Sequence, residues 1–292
     1  MRFTARVTVA AVGLGLLCGG CAAPAPLRVM SFNLGGSSYD AAPQGWSAVR
    51  GQIADTAREQ QPDVLALQGA QADQVHELQS LLNGYAYVAT GSADGGQGGD
   101  CVPVFYRRDR FLKLDAGHFW LSEKPAKVGS IGWDAAAPAV VTWVELRLKD
   151  SPLKTVRILN TCFDARGQQA RLESAKLVRK LVESYGGRPL VLVGTFHCRP
   201  GSEPYRILTE NRRNRMELRD ASAVSGTGGK AVLSRTLRRR SAARRCDWIL
   251  YNRGFEVGPV EAGKVPGKCA RPGGPTPVEA TLRLTAASQG YS

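Results

Sequence analysis

The chain has 292 residues, enough for one large α/β domain or two ordinary ones and for a substantial buried core. It carries 39 Lys and Arg against 25 Asp and Glu, a formal charge of +14, which favours anionic partners: nucleic acid, cell-wall polymer or the anionic face of a membrane. Its longest apolar run, Val7 to Leu17, is too short to span a bilayer, so a transmembrane helix is excluded from the mature protein.

In chain order, Met1 to Pro26 comes first: Arg2 and Arg6 precede the apolar run, which ends in small residues, the pattern of an export signal. Its removal takes two arginines and no acid, lowering the charge from +14 to +12. The piece LLCGGCAAPAP resembles a bacterial lipoprotein signal with Cys21 as the acylated residue, so a lipid-anchored and a simply secreted protein both stay open. Either is extracytoplasmic. One domain is expected over 27–284, with a tail at 285–292. Besides Cys21, the mature part holds Cys101, Cys162, Cys198, Cys246 and Cys269, an odd set of disulfide candidates in an oxidising compartment.

Leu27 to Phe32 reads as a strand running into Asn33 and a glycine-rich turn. Trp46, Val49, Ile53 and Ala57 recur at three and four residues, which predicts an amphipathic helix over 44–60. A strand follows over Asp63 to Gln68, then a helix with Val75, Leu78 and Leu82 on one face. Gly91 to Gly99 lacks the strand and helix context of a phosphate-binding loop and reads as a flexible surface loop. Two strands follow; His118, in an alternating segment, is expected to be a structural or surface histidine. Ala139 to Arg147 and Thr155 to Asn160 are further strands, and Leu172, Ala175, Val178 and Val182 form the inward stripe of a helix. Leu190 to Val193 is a short buried strand that stops at Gly194 and hands Thr195, Phe196 and His197 to a loop, the place where α/β proteins keep their chemistry.

Several segments together carry a family likeness. LRVMSFNLGG, QQPDVLALQG, the segment from Gly99 to Pro125 with Tyr106, NTCFDARGQQAR, LVGTFHCRPGSEP and CDWILYN occur in the order of the motifs of the endonuclease/exonuclease/phosphatase superfamily, which they resemble. The resemblance implies a four-layer α/β sandwich of two packed, mainly antiparallel sheets flanked by helices, and a magnesium- or manganese-dependent phosphoester hydrolase. It also implies where the chemistry would sit. Asn33, Tyr106, Asn160, Asp164 and Asp247 match family positions. Six others depart from it: the metal-ligand Glu falls on Gly69, a charge-stabilising His on Cys162, an Asp and an Asn on Thr195 and His197, and the terminal Asp-His pair on Gly274 and Pro275.

Magnesium is held by only one or two carboxylates plus water and phosphate, so replacing the principal one by glycine removes most of the site's affinity. A thiol cannot supply the charge of an imidazolium. The first reading is therefore an inactive family member that binds a phosphate-bearing or other anionic ligand, with Arg235, Arg238, Arg239, Arg240, Arg244 and Arg245 as a basic anion-binding segment. A second is a weak phosphodiester hydrolase with a rebuilt site. A third is a soft-metal or redox site from Cys162, His197 and Cys198, set against a disulfide such as Cys198 with Cys246.

Overall fold

The computed structural model describes residues 25–35, 45–210, 217–224, 246–257 and 277–285. Cys21, Arg235, Arg238, Arg239, Arg240, Arg244, Arg245, Cys269, Gly274 and Pro275 lie outside the described residues. No helix among the described residues is long and apolar enough to cross a membrane.

The first sheet is built from β1 (Leu27–Asn33), β2 (Val64–Gln68), β3 (Tyr85–Val88), β4 (Val104–Arg107), β11 (Phe255–Val257) and β12 (Val278–Leu284), in the order β11-β12-β1-β2-β4-β3. The second is built from β5 (Phe111–Trp120), β6 (Val140–Leu148), β7 (Thr155–Cys162), β8 (Leu190–Thr195), β9 (Arg219–Asp220) and β10 (Asp247–Tyr251), in the order β5-β6-β7-β8-β10-β9. Both sheets are mixed: β1 and β2 run parallel, as do β7 and β8, and the remaining pairings are antiparallel. The parallel pairs decide where the site lies, because a crossover between parallel neighbours leaves a crevice beyond their carboxyl ends.

Strand alternation sends successive side chains to opposite faces, and here both faces of each sheet are covered. Val29, Val64 and Ala66 of the first sheet meet Val144, Ile158, Val191 and Ile249 of the second in the central core. On the far side of the first sheet, Met30, Phe32, Leu65 and Phe105 pack on α1 (Gly45–Gln60) and α2 (Ala72–Leu81) through Val49, Ile53, Val75 and Leu78. On the far side of the second, Leu159, Leu192 and Trp248 pack on α3 (Gln168–Ser184) and α4 (Glu203–Thr209) through Ala175, Val178, Val182 and Leu208. The layers are helix, sheet, sheet, helix, as the motif order implied.

Polar groups fix the junctions between these layers. Asp63, 2% exposed, accepts the Arg28 amide at 2.8 Å and the Arg110 guanidinium at 2.6 Å, tying the start of β2 to β1 and to the turn before β5. The segment Gly91 to Gly99 is not the loose loop expected from its glycines. The Asp94 carboxylate accepts the amides of Gly96 and Gly98, the Gly91 amide reaches Gly96 O, and the Trp120 indole donates to Ser92 O at 2.7 Å. Its glycines serve close packing: a Cβ on Gly91 would lie 2.5 Å from Gly98 O. His118 stays exposed on β5, edge-on to Trp120 with ring centroids 5.2 Å apart.

Two substitutions test this packing. A Cβ on Gly194 would stand 2.3 Å from Thr161 O on the neighbouring parallel strand, so Gly194→Ala should lower the urea midpoint by the equivalent of about 1–3 kcal/mol, the range for forced overpacking. Asp63→Ala leaves Arg110 without its buried partner and should cost about 3–5 kcal/mol, read by the same unfolding measurement.

Candidate functional site

The carboxyl ends of β1, β2, β7 and β8 converge on one side of the sandwich. In the parallel registers Asn33 stands beside Gln68 and Cys162 beside Thr195, and Asp247, opening β10, lies opposite Thr195. A cleft of about 270 Å³ opens there, lined among others by Asn33, Gly69, Asp100, Cys162, Asp164 and His197.

Gly69 takes a left-handed conformation, φ 68°, as the chain leaves β2. Asn33 closes a tight turn by accepting the Gly35 amide on its side-chain oxygen at 2.7 Å. Asp164 is held by the backbone: the amides of Arg166, Gly167 and Ala136 all point at its carboxylate, at 2.7, 2.5 and 2.8 Å. Burial alone would raise its pKa, but these three donors prevail and hold it below the ordinary Asp value. Arg171 donates to the Asp164 carbonyl, so α3 is anchored to the same turn. Asp247 accepts the Thr195 hydroxyl at 2.5 Å, and Asp100 accepts the Gln71 amide.

Cys162 and His197 meet in the cleft, with Sγ 3.7 Å from Nε2. Burial pushes the Cys162 thiol up to about 12, with the Asp247 and Asp100 carboxylates adding to it. Burial also holds the His197 imidazole below its ordinary value, against the opposing pull of Asp247. At neutral pH the pair is therefore thiol and neutral imidazole rather than thiolate and imidazolium. His197 sits at φ 48°, a left-handed conformation unusual for a residue with a side chain. Its neighbour Phe196 is fully buried, stacked on Trp248 with centroids 4.4 Å apart, and donates its amide to Cys246 O at 2.7 Å.

Three expected site residues are placed otherwise. Tyr106 stands opposite Val64, at the far end of β2 from Gly69, in the core between the sheets. Four residues of strand separate that end from Gln68, about 13 Å. Asn160 is fully buried beneath the cleft, donating to Leu67 O at 2.7 Å and Pro103 O at 2.9 Å and accepting from Gln68 Nε2 at 2.8 Å. Cys198 turns away from Cys162 to pack beside α3 and α4, with its thiol toward Ser202. Nor is Cys198 joined to Cys246. Antiparallel pairing sets Cys246 beside Phe196, and the left-handed His197 carries the next residue off that register.

Two walls of the cleft were not legible as site elements. Ser92 comes from the glycine-rich segment read as a surface loop, and Asp100 from the start of the family-like segment that follows it. The opposite wall, Ala137 to Val140, is pinned through Asp134, whose carboxylate accepts the amides of Ala170 and Gln169 at 2.6 and 3.2 Å. Gly167, the residue capping α3, has no side chain to do this, and a Cβ there would lie 2.6 Å from Asp134 O. A helix start without a capping side chain was the available signal.

The donor set does not fit the magnesium or manganese ion that the resemblance implies. Gly69 has no side chain, Asp164 already accepts three backbone amides, and among the described residues no three His, Cys, Asp or Glu side chains are placed to hold an ion.

The family model described as the endonuclease/exonuclease/phosphatase family matches residues 30–268. No curated protein matches the chain. Among solved structures, an endonuclease/exonuclease/phosphatase protein from Bacteroides vulgatus is 28% identical with a TM-score of 0.79, covering 90% of this chain and 100% of that one. A mannosyl-6-phosphatase from Bacteroides thetaiotaomicron is 26% identical with a TM-score of 0.74, covering 88% and 100%. The human Nocturnin catalytic domain, 18% identical with a TM-score of 0.69 over 89% and 95%, shares the fold. With the two mixed sheets, their flanking helices and the motif order in agreement, the chain belongs to the endonuclease/exonuclease/phosphatase family.

Proposed function

We propose that this protein is a non-catalytic member of its family that binds a phosphate-bearing ligand in the strand-end cleft without cleaving it. The observation that carries the reading is the state of the cleft's charged groups. Asp164 is committed to three backbone amides, Asp247 accepts Thr195, and the Cys162–His197 pair is neutral. A base or an electrostatic stabiliser contributes on the order of a hundred to ten thousand fold each, and such losses are not additive. The residues at the six departing positions include no replacement for the carboxylate at 69.

Binding needs less than catalysis does. The open cleft offers hydrogen-bonding groups at Asn33 and His197. Arg244 and Arg245 come just before Cys246 and Asp247 in the chain, and their charge supports the basic segment as a source of phosphate contacts. The likeness to a mannosyl-6-phosphatase supports a sugar phosphate as the ligand class. A rebuilt hydrolase is the competing reading, and Asp100, an exposed carboxylate on the cleft wall, is the group that favours it. The export signature of residues 1–26 supports an extracytoplasmic location, with Cys21 as the anchor.

The decisive comparison gives the purified protein a sugar phosphate, plasmid DNA, RNA and a chromogenic phosphodiester, with magnesium or manganese. No product above a buffer control is expected, while calorimetry should detect sugar-phosphate binding that weakens as salt screens the arginines. Metal-dependent turnover abolished by a chelator would overturn the proposal. For the anchor, the N-terminal peptide of membrane-fraction protein should carry acyl mass on Cys21; an unmodified peptide beginning downstream would show secretion instead.

A further inference from the structure

The parallel pairing of β7 with β8 sets Cys162 and Thr195 side by side, and the left-handed turn two residues later brings the His197 ring back over the sulfur. The result is one soft sulfur donor and one imidazole nitrogen, 3.7 Å apart, both on the wall of an open cleft. We propose that Cys162 and His197 are the protein ligands of a binding site for a soft monovalent cation of the Cu(I) class.

Thiolate and imidazole suit Cu(I), whereas magnesium and calcium require oxygen donors. The separation also fits. An ion about 2.3 Å from sulfur and about 2.0 Å from nitrogen would see the two ligands at an angle of about 119° when they stand 3.7 Å apart. That is close to trigonal, with the third position facing the cleft and open to a solvent-borne ligand. A structural zinc site needs four ligands, and a catalytic one three from the protein. Among the described residues no such third side chain joins the pair.

The pair is held in place before any ion arrives. Phe196, stacked on Trp248 and edge-on to Phe163, fixes the backbone at the start of the turn. Cys162 is fixed by its place in the sheet between β6 and β8. On binding, the S–H bond breaks, its proton passes to water and an S–Cu bond forms. The His197 Nε2 lone pair forms the second bond, with the ring proton on Nδ1. The ion keeps its oxidation state, and its single positive charge is neutralised by the sulfur. None of this requires the sugar phosphate of the preceding section, so the two proposals fail independently.

The test is an anaerobic titration of the full chain with Cu(I) against a colorimetric chelator, repeated on Cys162→Ser, His197→Asn and Cys198→Ser. Asn is chosen at 197 because it tolerates a left-handed backbone. The unmodified protein and Cys198→Ser should each retain one equivalent more Cu(I) than Cys162→Ser and His197→Asn, all four unfolding at similar urea concentrations. X-ray absorption of the protein carrying that one equivalent should show a sulfur and an imidazole shell. Equal retention by all four proteins would overturn the proposal, as would one equivalent of zinc bound by the same two residues with Cu(I) excluded.

Discussion

The cleft depends on one buried amide. Asn160, on β7 of the second sheet, reaches across to Leu67 O and Pro103 O of the first, and its oxygen accepts from Gln68, which in turn accepts the Ser31 hydroxyl. Two sheets that meet through apolar side chains alone could slide, because the hydrophobic effect has no direction. A fully satisfied polar network in a dry core does not slide, since each displaced group would lose its partner in a low dielectric. Asn160 therefore fixes the separation and register of the sheets where β1, β2, β7 and β8 end. A family motif residue that reads as part of the active site acts here as the spacer on which that site is built.

Above this floor, burial and hydrogen bonding have divided the polar groups into two kinds. Asp164 is held charged by three backbone amides, while Asp247 accepts the Thr195 hydroxyl. The thiol and imidazole face the other way, since burial penalises their charged forms more than the neighbouring groups favour them. An anchored anion beside neutral soft donors is the arrangement on which the non-catalytic proposal rests.

The four-layer arrangement was readable because its cause is local: strands with both faces apolar, helices with one apolar stripe, and motifs whose order dictates the crossovers. What could not be read depends on register and on contacts remote in sequence. Tyr106 sits in a convincing motif, yet only the antiparallel pairing of β4 with β2 shows which end of the strand it occupies. The segment Gly91 to Gly99 has the composition of a loose loop, and only the Asp94 and Trp120 bonds turn its glycines into packing positions. Asp134 caps a helix that begins more than thirty residues later, a partnership no local pattern announces. The meeting of Cys162 and His197, by contrast, agrees with the expectation that residues at family site positions cluster.

Gly69 has a consequence for how this lineage can change. At φ 68° its backbone lies in a region where a side chain costs about 1–2 kcal/mol, as Cβ crowds the neighbouring carbonyl. At Thr195, on a regular strand, an exchange of side chain meets no such backbone barrier. Any side chain placed at position 69 would carry that backbone cost unless the turn after β2 also rearranged. The shape of this single turn thus makes position 69 harder to change than its neighbours on regular strand.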